Sequence, residues 1–111
     1  MDQQVAPAEL EELLATDPGV RHVVVAGVPH PEFGEAARAF VVLERHGGVA
    51  EEAEAAARLK ALVAGQLSLH KHLHGGVEFL ESIPHTDSGK DLRRALQQSY
   101  LQKHKGASKH A

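Results

Sequence analysis

The chain has 111 residues, a formal net charge of -3 with its nine histidines neutral, and no cysteine. That length holds one domain with room for a core of its own. The near-neutral charge gives no reason to expect nucleic acid or an acidic membrane surface as partner. The missing cysteines exclude disulfides and thiol catalysis, and no apolar run approaches the ~20 residues needed to span a bilayer.

Pro7 suits a first helical position, and Leu10, Leu13 and Leu14 line one face before Asp17-Pro18-Gly19 stops the helix. His22 to Val28 and Ala37 to Leu43 are nearly all apolar and rich in β-branched residues, which predicts two buried strands separated by Pro29 to Gly34. Glu51 to about Leu69 reads as the longest helix, with Leu59, Leu62, Val63 and Leu67 on one stripe. Gly75-Gly76 breaks the chain, Val77 to Leu80 reads as a short strand, and a last helix begins near Lys90 with Leu92, Ala95, Leu96 and Tyr100 on its apolar face. The order α-β-β-α-β-α predicts an α+β fold, a small sheet of three or slightly more strands flanked by about three helices. Residues 1–100 form the expected domain. Residues 101–111 lack apolar periodicity and read as a disordered tail.

The most informative segment is Thr86-Asp87-Ser88-Gly89-Lys90-Asp91-Leu92-Arg93-Arg94. It places a lysine at the start of an amphipathic helix, where free backbone N–H groups already favour an anion. A cation there opposes the helix dipole, at a cost of a few tenths of a kcal/mol up to ~1, part of which Asp91 offsets. A phosphate or carboxylate is the natural partner of such a lysine; an exposed lysine in a loop is the plain alternative. Gly89-Lys90 is not a Walker A loop, because Pro84 stands where the upstream glycine is needed and Asp91 where a hydroxyl is needed. The chain also lacks a nucleophile, base and orienter set of hydrolase type. His70, His72 and His74 invite a metal hypothesis, but no carboxylate or cysteine stands at ligand spacing and Lys71 would repel the ion, so no metal site is expected.

Gln4-Val5-Ala6-Pro7-Ala8-Glu9-Leu10-Glu11 and Ile83-Pro84-His85-Thr86-Asp87-Ser88-Gly89-Lys90-Asp91-Leu92-Arg93-Arg94 resemble two blocks of the small C-terminal domain of adenylate-forming enzymes. That superfamily contains acyl-CoA synthetases, aryl-CoA ligases, firefly luciferases and peptide-synthetase adenylation domains. Val24 to His30, Gly34-Glu35 and Arg38 to Val42 resemble the central strands, and the likeness runs over roughly residues 3 to 97. Lys71-His72-Leu73 and Gly75 to Phe79 lean towards the luciferase and coumarate–CoA ligase branch.

The resemblance implies a mobile lid domain that works with a large N-terminal adenylation domain, on a carboxylic acid, with ATP and Mg and then CoA or, in luciferases, oxidation. The lysine matching Lys90 is the adenylation lysine, which reaches into the large domain's active site between the acid and the phosphate–ribose region. Ser88 and Gly89, with Thr86, support that loop. Gln4 matches a polar position at the active-site edge, and Gly27 begins a stretch, to Gly34, close to the thiol tunnel of CoA-using members. After adenylation the domain rotates and Lys90 withdraws. Asp2-Gln3 stands where Gly-Tyr is usual, His85 replaces a common lysine, and Asp91 an aliphatic residue. The isolated chain is expected to be an inactive monomer that binds no ATP by itself. A cytoplasmic setting is expected; the start is too acidic and polar for a signal peptide, and the end is not the peroxisomal Ser-Lys-Leu. A stand-alone module pairing with a separate large domain or carrier protein, or a structural domain without catalysis, are the competing readings.

Overall fold

The computed structural model describes residues 7–32, 34–45, 47–66, 73–84 and 88–109, the last six of these as backbone only. Its elements are α1 (Pro7–Leu14), β1 (Val20–His30), β2 (Gly34–Leu43), α2 (Val49–Gln66), β3 (Gly76–Phe79) and α3 (Gly89–Lys109). This is the α-β-β-α-β-α order that the sequence predicts.

The sheet has the order β1-β2-β3. β1 and β2 form an antiparallel hairpin in which Val25 faces Ala39 and His30 faces Gly34. β3 runs parallel to β2, Val77 beside Ala39. Parallel neighbours need a crossover connection, and α2 lies within it. Alternation along the strands then separates two apolar faces. On one, Val25, Ala37, Ala39 and Val41 meet Leu10 and Leu14 of α1 and Leu59 and Val63 of α2. On the other, Val24, Ala26 and Phe40 meet Leu96 of α3, with Leu92 and Tyr100 packed around them. Of the helix stripes read from sequence, Leu10, Leu14, Leu59, Val63 and Leu96 are buried, Leu67 lies outside the described residues, and the sheet lies between two helical layers.

Polar side chains fix the junctions. Asp17 stops α1 by an Asx turn, its Oδ1 accepting the Gly19 N–H at 2.8 Å, and its carboxylate takes a two-pronged hydrogen bond from Arg58 of α2 at 2.6 and 3.2 Å. The Arg58 bond above all, with help from the Gly19 amide and against the opposing effect of burial, holds the Asp17 carboxyl below its ordinary value. Gly75 has no room for a side chain, because a Cβ would lie 2.8 Å from the Ala37 carbonyl oxygen that accepts its own N–H. The chain therefore crosses tightly onto β2 just before β3 begins.

α3 continues to Lys109, past residue 100 where the sequence reading places the end of the domain. Leu101, Gln102 and Lys103 are straight-chain residues that propagate an established helix at little cost. Lys103 also hydrogen-bonds Glu78 of β3. The missing apolar periodicity reflects the helix running past the edge of the core.

Candidate functional site

Ser88 is the N-cap of α3. Its Oγ accepts the Asp91 N–H at 3.1 Å and its carbonyl accepts the Leu92 N–H at 3.0 Å. The Leu92 bond is the first of the helix ladder, and the Ser88 hydroxyl satisfies one of the orphan amides that precede it, that of Asp91, leaving those of Gly89 and Lys90 without a partner among the described residues. Lys90 is the second residue of the helix and is exposed. A Cβ built on Gly89 would meet no atom within 4 Å, and Gly89 is not among the glycines with positive φ. Neither residue is explained by packing among the described residues. Beside this turn an open groove of about 670 Å³ runs between the start of β1, the end of β2 and residues 81–84, with Arg21, His22, Glu44, Glu81 and Leu92 along it.

The helix that carries Lys90 is tied to the free edge of β1. Arg93 Nε donates to the Val25 carbonyl at 3.2 Å, and its Nη2 donates to both oxygens of Glu11 at 3.0 and 3.1 Å. Glu11 Oε2 in turn accepts the Val25 N–H at 2.8 Å. The outward amide and carbonyl of one edge residue are therefore closed by an ion pair between α1 and α3. Two residues along, Gln97 Nε2 donates to the Gly27 carbonyl at 2.7 Å. Pro29, without an N–H to offer, continues the same edge, and a capped edge of this kind does not recruit a further strand.

A second polar cluster pins the far end of α3. Arg38 pairs with Glu78 at 2.8 Å, donates to the Gly75 carbonyl at 2.7 Å and stacks over Tyr100 at 4.8 Å from the ring centroid. Burial alone would raise the Glu78 carboxyl, but hydrogen bonds from Lys103 and Arg38, with their charges, outweigh it and hold the group below its ordinary value.

The sequence-predicted site residues fall into three groups. Ser88, Gly89 and Lys90 sit together on the first turn of α3. Gly27 stands apart, level with Gln97, about 10 Å further along the helix at 1.5 Å per residue. A Cβ there would meet only the outer atoms of the exposed Glu35 side chain, which can move aside, so close packing does not require glycine at this position. Gln4, His85 and Thr86, like His70 and His72 of the metal hypothesis, lie outside the described residues. Among the described residues no group of three His, Cys, Asp or Glu side chains could hold a metal ion. No helix among them is long and apolar enough to cross a membrane.

Sequence reasoning quoted Glu11, Arg38, Glu78, Arg93 and Tyr100 without giving them these roles. Only Arg93, one turn after Lys90, carried a signal, and its partner is 82 positions away.

Residues 9–90 match the family model of the AMP-binding enzyme C-terminal domain. The chain is 44% identical over 95 residues to the acyl-CoA ligase lcsD of Purpureocillium lilacinum, covering 86% of this chain and 24% of that protein. It is 39% identical over 103 residues to luciferin 4-monooxygenase of Photinus pyralis, covering 93% of this chain and 18% of that protein. Among solved structures, a benzoate CoA ligase from Burkholderia xenovorans superposes with a TM-score of 0.69 at 35% identity, covering 87% of this chain and 19% of that one. The chain belongs to the family of C-terminal domains of adenylate-forming, AMP-binding enzymes. It spans about a quarter or less of the length of these relatives.

Proposed function

We propose that this domain is the mobile lid of an ATP-dependent acid–CoA ligase and that Lys90 supplies the positive charge for its adenylation step. The observation that carries the reading is the first turn of α3. An exposed lysine stands against the helix dipole beside a glycine that no neighbour among the described residues and no backbone angle requires. A charge set against the dipole and a glycine without a local reason, together at one exposed turn, point to a partner outside the chain.

In adenylation a carboxylate oxygen attacks the α-phosphorus of ATP, the bond to the bridging oxygen breaks, and pyrophosphate leaves with the electron pair. Two anions must meet, so a cation fixed between them lowers the barrier. Lys90 offers that ammonium, and the open amides of Gly89 and Lys90 add weaker donors of the same sign. Lacking a Cβ, Gly89 lets a large domain approach the backbone closely. ATP, entering as its magnesium complex, and the acid belong to the large domain's pocket. In the second step a thiol sulfur attacks the acyl carbon and AMP leaves, which needs no lysine at the phosphate. Of the two outcomes represented among the relatives, thioester formation is preferred here because the ligase lcsD is the more similar of the two quoted proteins.

The test is a fusion in which this chain replaces the C-terminal domain of the benzoate CoA ligase. With benzoate and ATP, pyrophosphate release should be restored and should fall by ~10² or more in Lys90→Ala. With preformed benzoyl adenylate and CoA, the variant should stay within about tenfold of the parent fusion. Equal losses in both assays would refute the role given to Lys90.

A further inference from the structure

We propose that Glu11, Arg93 and Gln97 are positioning residues that set the rotation of α3 about its own axis and so aim Lys90; this rests on the reading of Lys90 above. At about 100° per residue, Lys90, Arg93 and Gln97 fall within about 60° of one another on the helix surface. The stripe that carries the lysine is therefore the stripe bonded to the edge of β1, through Val25 and Gly27. The apolar contacts of Leu92, Leu96 and Tyr100 with Val24, Ala26 and Phe40 hold the helix down but are non-directional. Hydrogen bonds to a strand edge are directional, and those of Arg93 are doubled by the Glu11 carboxylate, which is itself fixed by the Val25 N–H.

Without this tie the first turns of α3 can roll against the sheet, while Tyr100 and Lys103 still hold its far end. A roll of about 20° moves an atom about 6 Å from the helix axis by about 2 Å, and misplacement of a reacting group by about 1 Å can cost about 10²-fold in rate. Because Lys90 has withdrawn in the second half-reaction, the tie matters to adenylation alone.

Two measurements test this. In the benzoate ligase fusion, Arg93→Met should lower the kcat of adenylation about 10- to 100-fold with KM for benzoate and ATP changed less than about threefold, while transfer from preformed adenylate stays within about threefold. Arg93→Lys keeps the charge without the planar fork and should recover only part of the loss. Glu11→Gln keeps an acceptor for Val25 and should fall between the parent and Arg93→Met. In the 111-residue chain, amide exchange at Asp91 and Leu92 should quicken at least about tenfold in Arg93→Met, with Leu59 and Val63 unchanged.

Unchanged exchange at Asp91 and Leu92 overturns the proposal, as does a parallel fall of both half-reactions, which marks a folding defect; should Arg93→Met not fold, Arg93→Lys decides by the same two readings. A parent fusion without Lys90-dependent adenylation overturns the reading of Lys90, and the positioning role with it, even where exchange shows the tie intact.

Discussion

Glu78 joins β3 to both β2 and α3, and its replacement by glutamine tests whether that junction is electrostatic. Its side chain is 13% exposed and faces Arg38, itself 15% exposed, and Lys103, 56% exposed. Breaking a fully buried pair costs about 3–5 kcal/mol, whereas an exposed pair such as that with Lys103 is worth about 0–1 kcal/mol. In Glu78→Gln the guanidinium keeps the Gly75 carbonyl and the Tyr100 ring, so it is not stranded. The expected loss is therefore about 2 kcal/mol at pH 7, between those limits and near the value of a hydrogen bond to a charged group. For a domain of this size that lowers Tm by roughly 8–15 °C.

The pH dependence supplies the sharper check. The folded Glu78 carboxyl lies below its ordinary value, so its contribution is fully present above the unfolded carboxyl's titration near about 4.3 and is lost as pH falls through the lower folded value. Thermal and urea unfolding of the 111-residue chain and of Glu78→Gln at pH 7 and about pH 3 should show the gap narrowing as the carboxylate is protonated. A gap that is the same at both values, or absent at pH 7, would refute the electrostatic account and leave packing of Arg38 on Phe40 and Tyr100 as what joins these elements.

Three further outcomes are expected. Ser88→Ala should destabilise the chain by about 1 kcal/mol and quicken exchange of the Asp91 amide, which it caps; unaltered exchange would count against the cap. Gly75→Ala should cost about 1–3 kcal/mol, because the new methyl meets the Ala37 oxygen and Val28, and loss of the β3 amide protection should accompany the fall in Tm. Leu59→Ala, at a fully buried position, should cost about 2–5 kcal/mol in urea unfolding without changing the Lys90-dependent ratio of half-reactions in the fusion; a changed ratio would mean that α2 takes part in aiming the lysine.

Local pattern determined the elements. Leu10 with Leu14 and Leu59 with Val63 repeat at helical spacing, and the β-branched runs at Val23 to Val28 and Val41-Val42 have few conformations other than strand, so order and fold class follow from residues close together in the chain. Ser88, Gly89 and Lys90 were legible for the same reason, because capping, glycine and a misplaced charge are features of one turn. Tertiary structure decided what lay between distant residues. That Val25 lies at a sheet edge depends on strand order, which no periodicity encodes; there Glu11 and Arg93, far apart in the chain, close the amide and the carbonyl of one residue. Gly27 reads alike as part of a turn or of a tunnel wall until strand pairing places it on β1 opposite Ala37, with its carbonyl bonded by Gln97. The hydrogen bond of Lys103 to Glu78 likewise depends on a strand made by pairing with β2. Short-range steric and hydrogen-bond preferences are written in the sequence itself, whereas the partner of a charge or of an edge amide exists only once the sheet has formed.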